Sequence, residues 1–230
     1  MPIPGRNPRS QKCVADFPGW LTPNGGSAMK GSIAALALIS FTAARASAQA
    51  NPSGSVAVVP PAEQQIAAAV LPLPKELRDG ATVMGYSPTG AFNTLRRGTG
   101  EMICLASDPK ASRFHVACYH RDMEPFMARG RELRAQGVKG DQVDSVRFRE
   151  VRERKLDIPS TATTLYSLTG PKDAFDASTG AVTKARHLFV VYIPFATAAS
   201  TGLSAVPVEG APWVMFPGTP KAHIMFVPKM

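Results

Sequence analysis

The 230-residue chain is sparing with cysteine, with aromatic rings and with acidic side chains. Its three cysteines include no Cys-x-x-Cys pair, which argues against a thiol redox centre. Aromatic residues make up 7%, so few rings are available to stack on the bases of a nucleic acid. No apolar run approaches the roughly 20 residues that a bilayer span requires. There is no Gly-x-Ser-x-Gly elbow to carry a nucleophilic serine, and no lysine-bearing phosphate loop. No internal repeat is visible, and no motif calls for a cofactor.

Lys30–Ala50, KGSIAALALISFTAARASAQA, stands out against these absences. A basic start at Lys30, an apolar run over Ile33–Phe41 and small residues at Ala48-Gln49-Ala50 make a secretory signal peptide. Ala46-Ser47-Ala48 offers an alternative cut two residues earlier. The run is too short for a membrane anchor and is followed by Arg45. Residues 1–28 are polar and rich in proline and glycine, unlike the start of an export signal. They read as an untranslated or removed leader, with Met29 as the simpler start. The expected organisation is therefore a leader over 1–28, a signal peptide over 29–50, a flexible N-terminal arm over 51–74, and a single domain over 75–230. The expected location is periplasmic or secreted, after cleavage near Ala50, with no membrane anchor in the mature form.

Residues 1–50 carry five basic residues and one acidic residue, so without them the formal net charge falls from +9 to +5. Cys13 also leaves with that segment. Cys104 and Cys118 remain as an even pair, which an oxidising compartment would join. Closing that loop restricts the unfolded chain by about 3 kcal/mol in the entropy treatment. The densest basic stretch, Arg147–Lys155, interleaves Glu150 and Glu153. Its mixed signs predict a solvated helix face, with Glu150 pairing Arg154 at i,i+4, and not a nucleic-acid footprint.

Along the mature chain, Ala-Ala-Ala-Val-Leu-Pro-Leu-Pro (67–74) suits a short helix or an extended arm on the core. Residues 81–105 predict a strand meander, with ATVMGY, AFNTLRR and EMICL separated by Ser87-Pro88-Thr89-Gly90 and Gly98-Thr99-Gly100. Phe114–Tyr119 adds a strand. From Asp122 the apolar spacing becomes helical through Met123, Phe126, Met127, Gly130 and Leu133, with Asp122 as cap, Pro125 in the first turn and Gly137 as stop. Asp141 opens a second helix to Lys155. Strands return at Thr163–Leu168 and His187–Ile193, and Trp213–Phe216 with Ala222–Val227 predict a terminal hairpin. The fold class is thus α+β, a single domain of mainly antiparallel sheet with a two-helix insertion over about 122–155.

Candidate chemistry is thin. His115-x-x-Cys118-x-His120 has zinc-type or copper-type ligands, but a bridged Cys118 is no thiolate, and His115 and His120 face opposite sides of a straight strand. His223 and Met225 share a strand face that would suit a soft metal, although a methionine there packs more readily into a core. No metal ligand set is therefore assigned. Ser200 and Thr201 lie in the small-residue loop 197–204 and would need one of His120, His187 or His223 to act as nucleophiles. Arg96-Arg97-Gly98-Thr99-Gly100 presents guanidinium and backbone N–H groups that suit an anion, or simply a hairpin turn.

The stretch Leu95-Arg96-Arg97-Gly98-Thr99-Gly100…Cys104, Cys118, Leu165–Gly170 and the tail Pro212-Trp213-Val214-Met215-Phe216-Pro217-Gly218-Thr219-Pro220-Lys221-Ala222-His223-Ile224-Met225 resembles a family of exported bacterial proteins of uncharacterised function. The resemblance covers most of 81–230 and implies a bacterial, secreted context. The leading expectation is an exported, non-enzymatic protein that binds a small molecule or an envelope partner. The alternatives are an extracytoplasmic hydrolase using a histidine with a hydroxyl of 197–204, and a metal-binding protein.

Overall fold

The structure, a computed structural model, describes residues 58–208 and 210–228. The leader, the signal segment and its cleavage sites lie outside the described residues. Helix α1 (Ala62–Ala69) follows Pro61 and ends before Leu71-Pro72-Leu73-Pro74, where two prolines cannot continue it. It buries Gln65, Ala68 and Ala69, positions i, i+3 and i+4 of one stripe. The amide of Gln65 donates to the Tyr86 carbonyl and accepts from its N–H, both at 2.8 Å, as a neighbouring strand would. The packed fold thus extends upstream of residue 75, and a short helix α2 (Lys75–Arg78) leads into the sheet.

Eight strands form one sheet: β1 (Thr82–Tyr86), β2 (Phe92–Arg96), β3 (Met102–Leu105), β4 (Arg113–His120), β5 (Thr163–Pro171), β8 (Arg186–Tyr192), β9 (Trp213–Met215) and β10 (His223–Phe226). Their order is β2-β1-β3-β4-β5-β8-β10-β9, and β6 (Phe175–Asp176) with β7 (Ala181–Val182) makes a separate hairpin. Every pair in the large sheet is antiparallel except β1 with β3. The predicted meander over 81–105 is corrected here: β1 and β2 form a hairpin, and the chain then passes to the other side of β1. The crossing needs glycine. Gly100 N–H donates to the Gly80 carbonyl at 2.8 Å, and a Cβ on Gly98 would run into that same carbonyl.

A disulfide joins Cys104 to Cys118, which sit directly opposite each other on β3 and β4. Side chains alternate across the sheet. Met102 and Cys104 face α1 in one core cluster, while Ile103 and Leu105 face the other side. That second side is covered by the insertion, α3 (Glu124–Ala135) and α4 (Asp141–Arg152), through Met123, Phe126, Met127, Phe148 and Val151. The α+β class and the two-helix insertion therefore stand. Among the described residues no helix is long and apolar enough to cross a membrane.

The helix ends differ in detail from the sequence expectation. Asp122 falls in a 3-10 turn (Arg121–Met123) whose N–H is accepted by the His120 ring, so it does not cap α3. Gly140 precedes α4, and Asp141 is its first residue. Gly137 does stop α3, at φ +87. The expected Glu150–Arg154 pair is replaced by a two-pronged bond from Arg129 on α3, at 2.9 and 2.7 Å, which ties the two helices together. Arg147 corrects the reading of a solvated face, being only 3% exposed.

Candidate functional site

The structure separates the residues that looked chemically promising. The His115 ring lies on the α3 side of β4, with Nδ1 2.7 Å from the Thr169 hydroxyl. Burial, and after it the charge of Arg113, pulls its pKa down to about 4. His120, at the end of β4, sits 3.9 Å from Glu101 and beside Asp122. His187 is exposed on β8. His223 is buried against Tyr192 and Phe216 and donates Nδ1–H to the Lys221 carbonyl at 2.7 Å. Burial lowers its pKa to about 4 as well. Met225 packs in the core cluster under α3.

Ser200 and Thr201 belong to the four-residue helix α5 (Ala198–Thr201). Ser200 closes a capping box with Thr197, and the Thr201 hydroxyl donates to the Thr197 carbonyl at 2.8 Å. These hydroxyls are committed to local turn structure. Arg96 donates to the backbone carbonyls of Arg78 and Ala81, at 2.5 and 3.0 Å, and so supports the crossing. Arg97 is exposed. No group of three or more metal-ligating side chains occurs among the described residues.

A different place has the properties of a site. Between α3 and the sheet lies a cavity of about 840 Å³, within the range for small-molecule pockets. Its apolar walls include Phe92, Leu105, Ala106, Ala117 and Met127. Tyr86 and Phe92, paired edge to face at 5.1 Å, form the side toward the β1–β2 hairpin. Arg131, Arg134 and Arg147 contribute from the helices, and His115 with Thr169 from the sheet. Asp108, Ala111, Ser112 and Arg113 also line the cavity, and Lys172 holds the carbonyls of Pro109 and Ala111 at 2.7 and 2.8 Å.

The arginines are held by other groups. Arg131 donates to the Tyr119 hydroxyl (2.9 Å) and to Glu124 (2.6 Å), and its guanidinium lies 5.9 Å from the Phe92 ring centre. Tyr119 in turn donates to Glu124, and burial pushes its pKa well above the ordinary phenol value. Arg147 lies 4.0 Å over the Phe126 ring and donates to the Phe126 carbonyl and to Asp144. Lys221, also buried, donates to the other oxygen of Asp144 at 2.8 Å. Burial acts to raise the Asp144 pKa, but Lys221 and Arg147 overcome it and hold the carboxyl below its ordinary value.

The arrangement can bind and orient a molecule. It is ill suited to general-base chemistry, because an imidazole with a pKa near 4 is a weak base at neutral pH. Sequence reasoning missed the four cavity arginines, Arg113, Arg131, Arg134 and Arg147, although a signal for one was present. Arg147 stands four residues after Val143 and four before Val151, on the inward stripe of α4. An arginine on that stripe marks a buried charge with a specific partner. Comparisons with protein-family models, with curated proteins and with solved structures find no match.

Proposed function

We propose that this is an exported binding protein, acting in the periplasm or outside the cell, which holds a small molecule in the cavity between α3 and the sheet. The observation that carries the reading is the cavity itself, with apolar walls and a few convergent polar groups. Export is supported by the Lys30–Ala50 segment, by the resemblance to exported bacterial proteins, and by a disulfide of a kind that persists in oxidising compartments. Binding is preferred to hydrolysis because the hydroxyls of 197–204 are engaged within α5 and because His115 is a weak base.

The neutral fluorophore N-phenyl-1-naphthylamine tests the cavity. The mature chain should bind one equivalent saturably, and Ala111→Trp, which puts a large ring on the lining, should abolish that binding. Absent or non-saturable binding, or binding untouched by Ala111→Trp, would refute the reading. Mass spectrometry of exported protein should find an N-terminus at Asn51 or Gln49, whereas an intact Met29 or Met1 would contradict cleavage.

A further inference from the structure

One wall of the cavity belongs to the connection between β3 and β4, where Asp108, Ala111 and Ser112 line it. That connection contains a turn with its own shape. Ala111 N–H donates to the Asp108 carbonyl at 3.1 Å, and Pro109 suits the second position of such a turn. The Asp108 carboxylate accepts from Lys110 N–H at 2.8 Å. At the base of the connection, His115 N–H donates to the Ser107 hydroxyl at 3.1 Å. No residue of 107–112 is buried, so core packing does not fix where the turn sits.

Lys172, which is exposed and lies outside the cavity lining, supplies a tie from another part of the fold. Its ammonium donates to three carbonyls of this one turn: Pro109 at 2.7 Å, Ala111 at 2.8 Å and Asp108 at 3.4 Å. An ammonium has three N–H donors and no acceptor, so all its capacity is spent on the turn. Ordering a lysine costs rotamer entropy, which three bonds from a charged donor can offset where one would not. The base from which Lys172 reaches is firm. Pro171 pairs with Arg113 at the end of β5 and β4, Ala174 N–H donates to the Pro171 carbonyl at 3.0 Å, and Ala174 is buried.

We propose that Lys172 is a clamp for the cavity: its ammonium fixes the 108–111 turn as a wall, and a ligand is held tightly only while the clamp is closed. This rests on the reading of the cavity as a binding site. Lys172 is a positioning residue, acting through Asp108 and Ala111 without touching the ligand. Without the ammonium the turn keeps its shape but loses its place against the sheet. The apparent dissociation constant then rises in inverse proportion to the fraction of chains with the wall in place.

Titration of the mature chain with N-phenyl-1-naphthylamine reads the clamp. Lys172→Met removes the three donors and nearly keeps the side chain's length. It should weaken binding about fivefold or more, as when the wall is in place about a fifth of the time or less. Amide exchange should quicken at 107–112 and stay slow in β4 and β5, with the urea midpoint unchanged. Lys172→Ala leaves room for a free amine: n-propylammonium should restore its binding and leave the wild type unaltered. Tetramethylammonium, charged but without N–H donors, should restore nothing. Equal binding by wild type and Lys172→Met, or a Lys172→Ala variant that propylammonium fails to restore, overturns the clamp and spares the cavity. A lowered urea midpoint with faster exchange throughout the sheet also overturns it, since Lys172 would then support the whole domain. If the wild type does not bind the fluorophore, the reading of the cavity falls and the clamp with it.

Discussion

Replacing Asp144 by asparagine removes the one carboxylate between two buried cations while keeping the side chain's shape. In the folded protein Lys221 Nζ lies 2.8 Å from Asp144, and the Arg147 guanidinium contacts the other oxygen. Removing one member of a buried ion pair destabilises by about 3–5 kcal/mol, because the remaining charge is stranded. Here an escape route sets a ceiling. Lys221 can release its proton, and burial already holds its pKa below the ordinary lysine value. Discharging a lysine at pH 7 costs about 5 kcal/mol from its reference pKa, so the loss should not exceed that. For a domain of this size the change corresponds to a fall in Tm of roughly 10 °C. Urea unfolding followed by the fluorescence of buried Trp213 measures it, since urea does not screen charge. Adding Lys221→Met to Asp144→Asn removes the second cation and should recover about half the loss, as coupled neighbours do. A loss under about 1 kcal/mol in Asp144→Asn, or no recovery in the double variant, would refute the stranded-charge argument.

Two further outcomes follow from the same structure. Replacing both Cys104 and Cys118 by alanine should destabilise the domain by about 3 kcal/mol, given a separation of 14 residues. Thiol labelling of the denatured, unreduced wild type should find no free thiol in that pair, and two labels would contradict the bridge. His115 and His223 both have folded pKa values lowered from 6.5 to about 4, so the folded state favours their neutral forms. Their contribution is fully present above about pH 6.5 and is lost as pH falls from there through about 4. Stability should therefore fall by roughly 2 kcal/mol per histidine between pH 7 and pH 5, and a flat urea midpoint across that range would contradict their burial as neutral rings.

Legibility followed the range of the interactions involved. The insertion was readable because Met123, Phe126, Met127, Gly130 and Leu133 repeat at helical spacing and Gly137 ends the run, all local properties. The terminal hairpin was readable from its turn residues, and the bridge from the parity of the cysteines. The parallel pairing of β1 with β3 was not, because it depends on how closely Gly98 and Gly100 approach Gly80. Turn residues announce a change of direction without saying on which side of a strand the chain will return. The cavity was less legible still. Its arginines come from α3, α4 and β4, its imidazole from β4 and its rings from β1 and β2, so no window of sequence holds it. Histidines and serines stand out in the sequence because those residue types do chemistry elsewhere. Here His223 fills a core position and Ser200 closes a four-residue helix. Arg147 hid within a run of mixed charges, where only its register with Val143 and Val151 marked it as inward.

The central claim is that the cavity between α3 and the sheet takes up one small molecule, and side-chain NMR of the arginines along it addresses that directly. The Nε–Hε signals of 15N-labelled mature protein would be followed as N-phenyl-1-naphthylamine is added. The signals of Arg147 and Arg131 should shift saturably at one equivalent, while those of exposed Arg97 and Arg152 stay in place. Shifts confined to the exposed arginines, or none at all with the fluorophore in excess, would contradict the account.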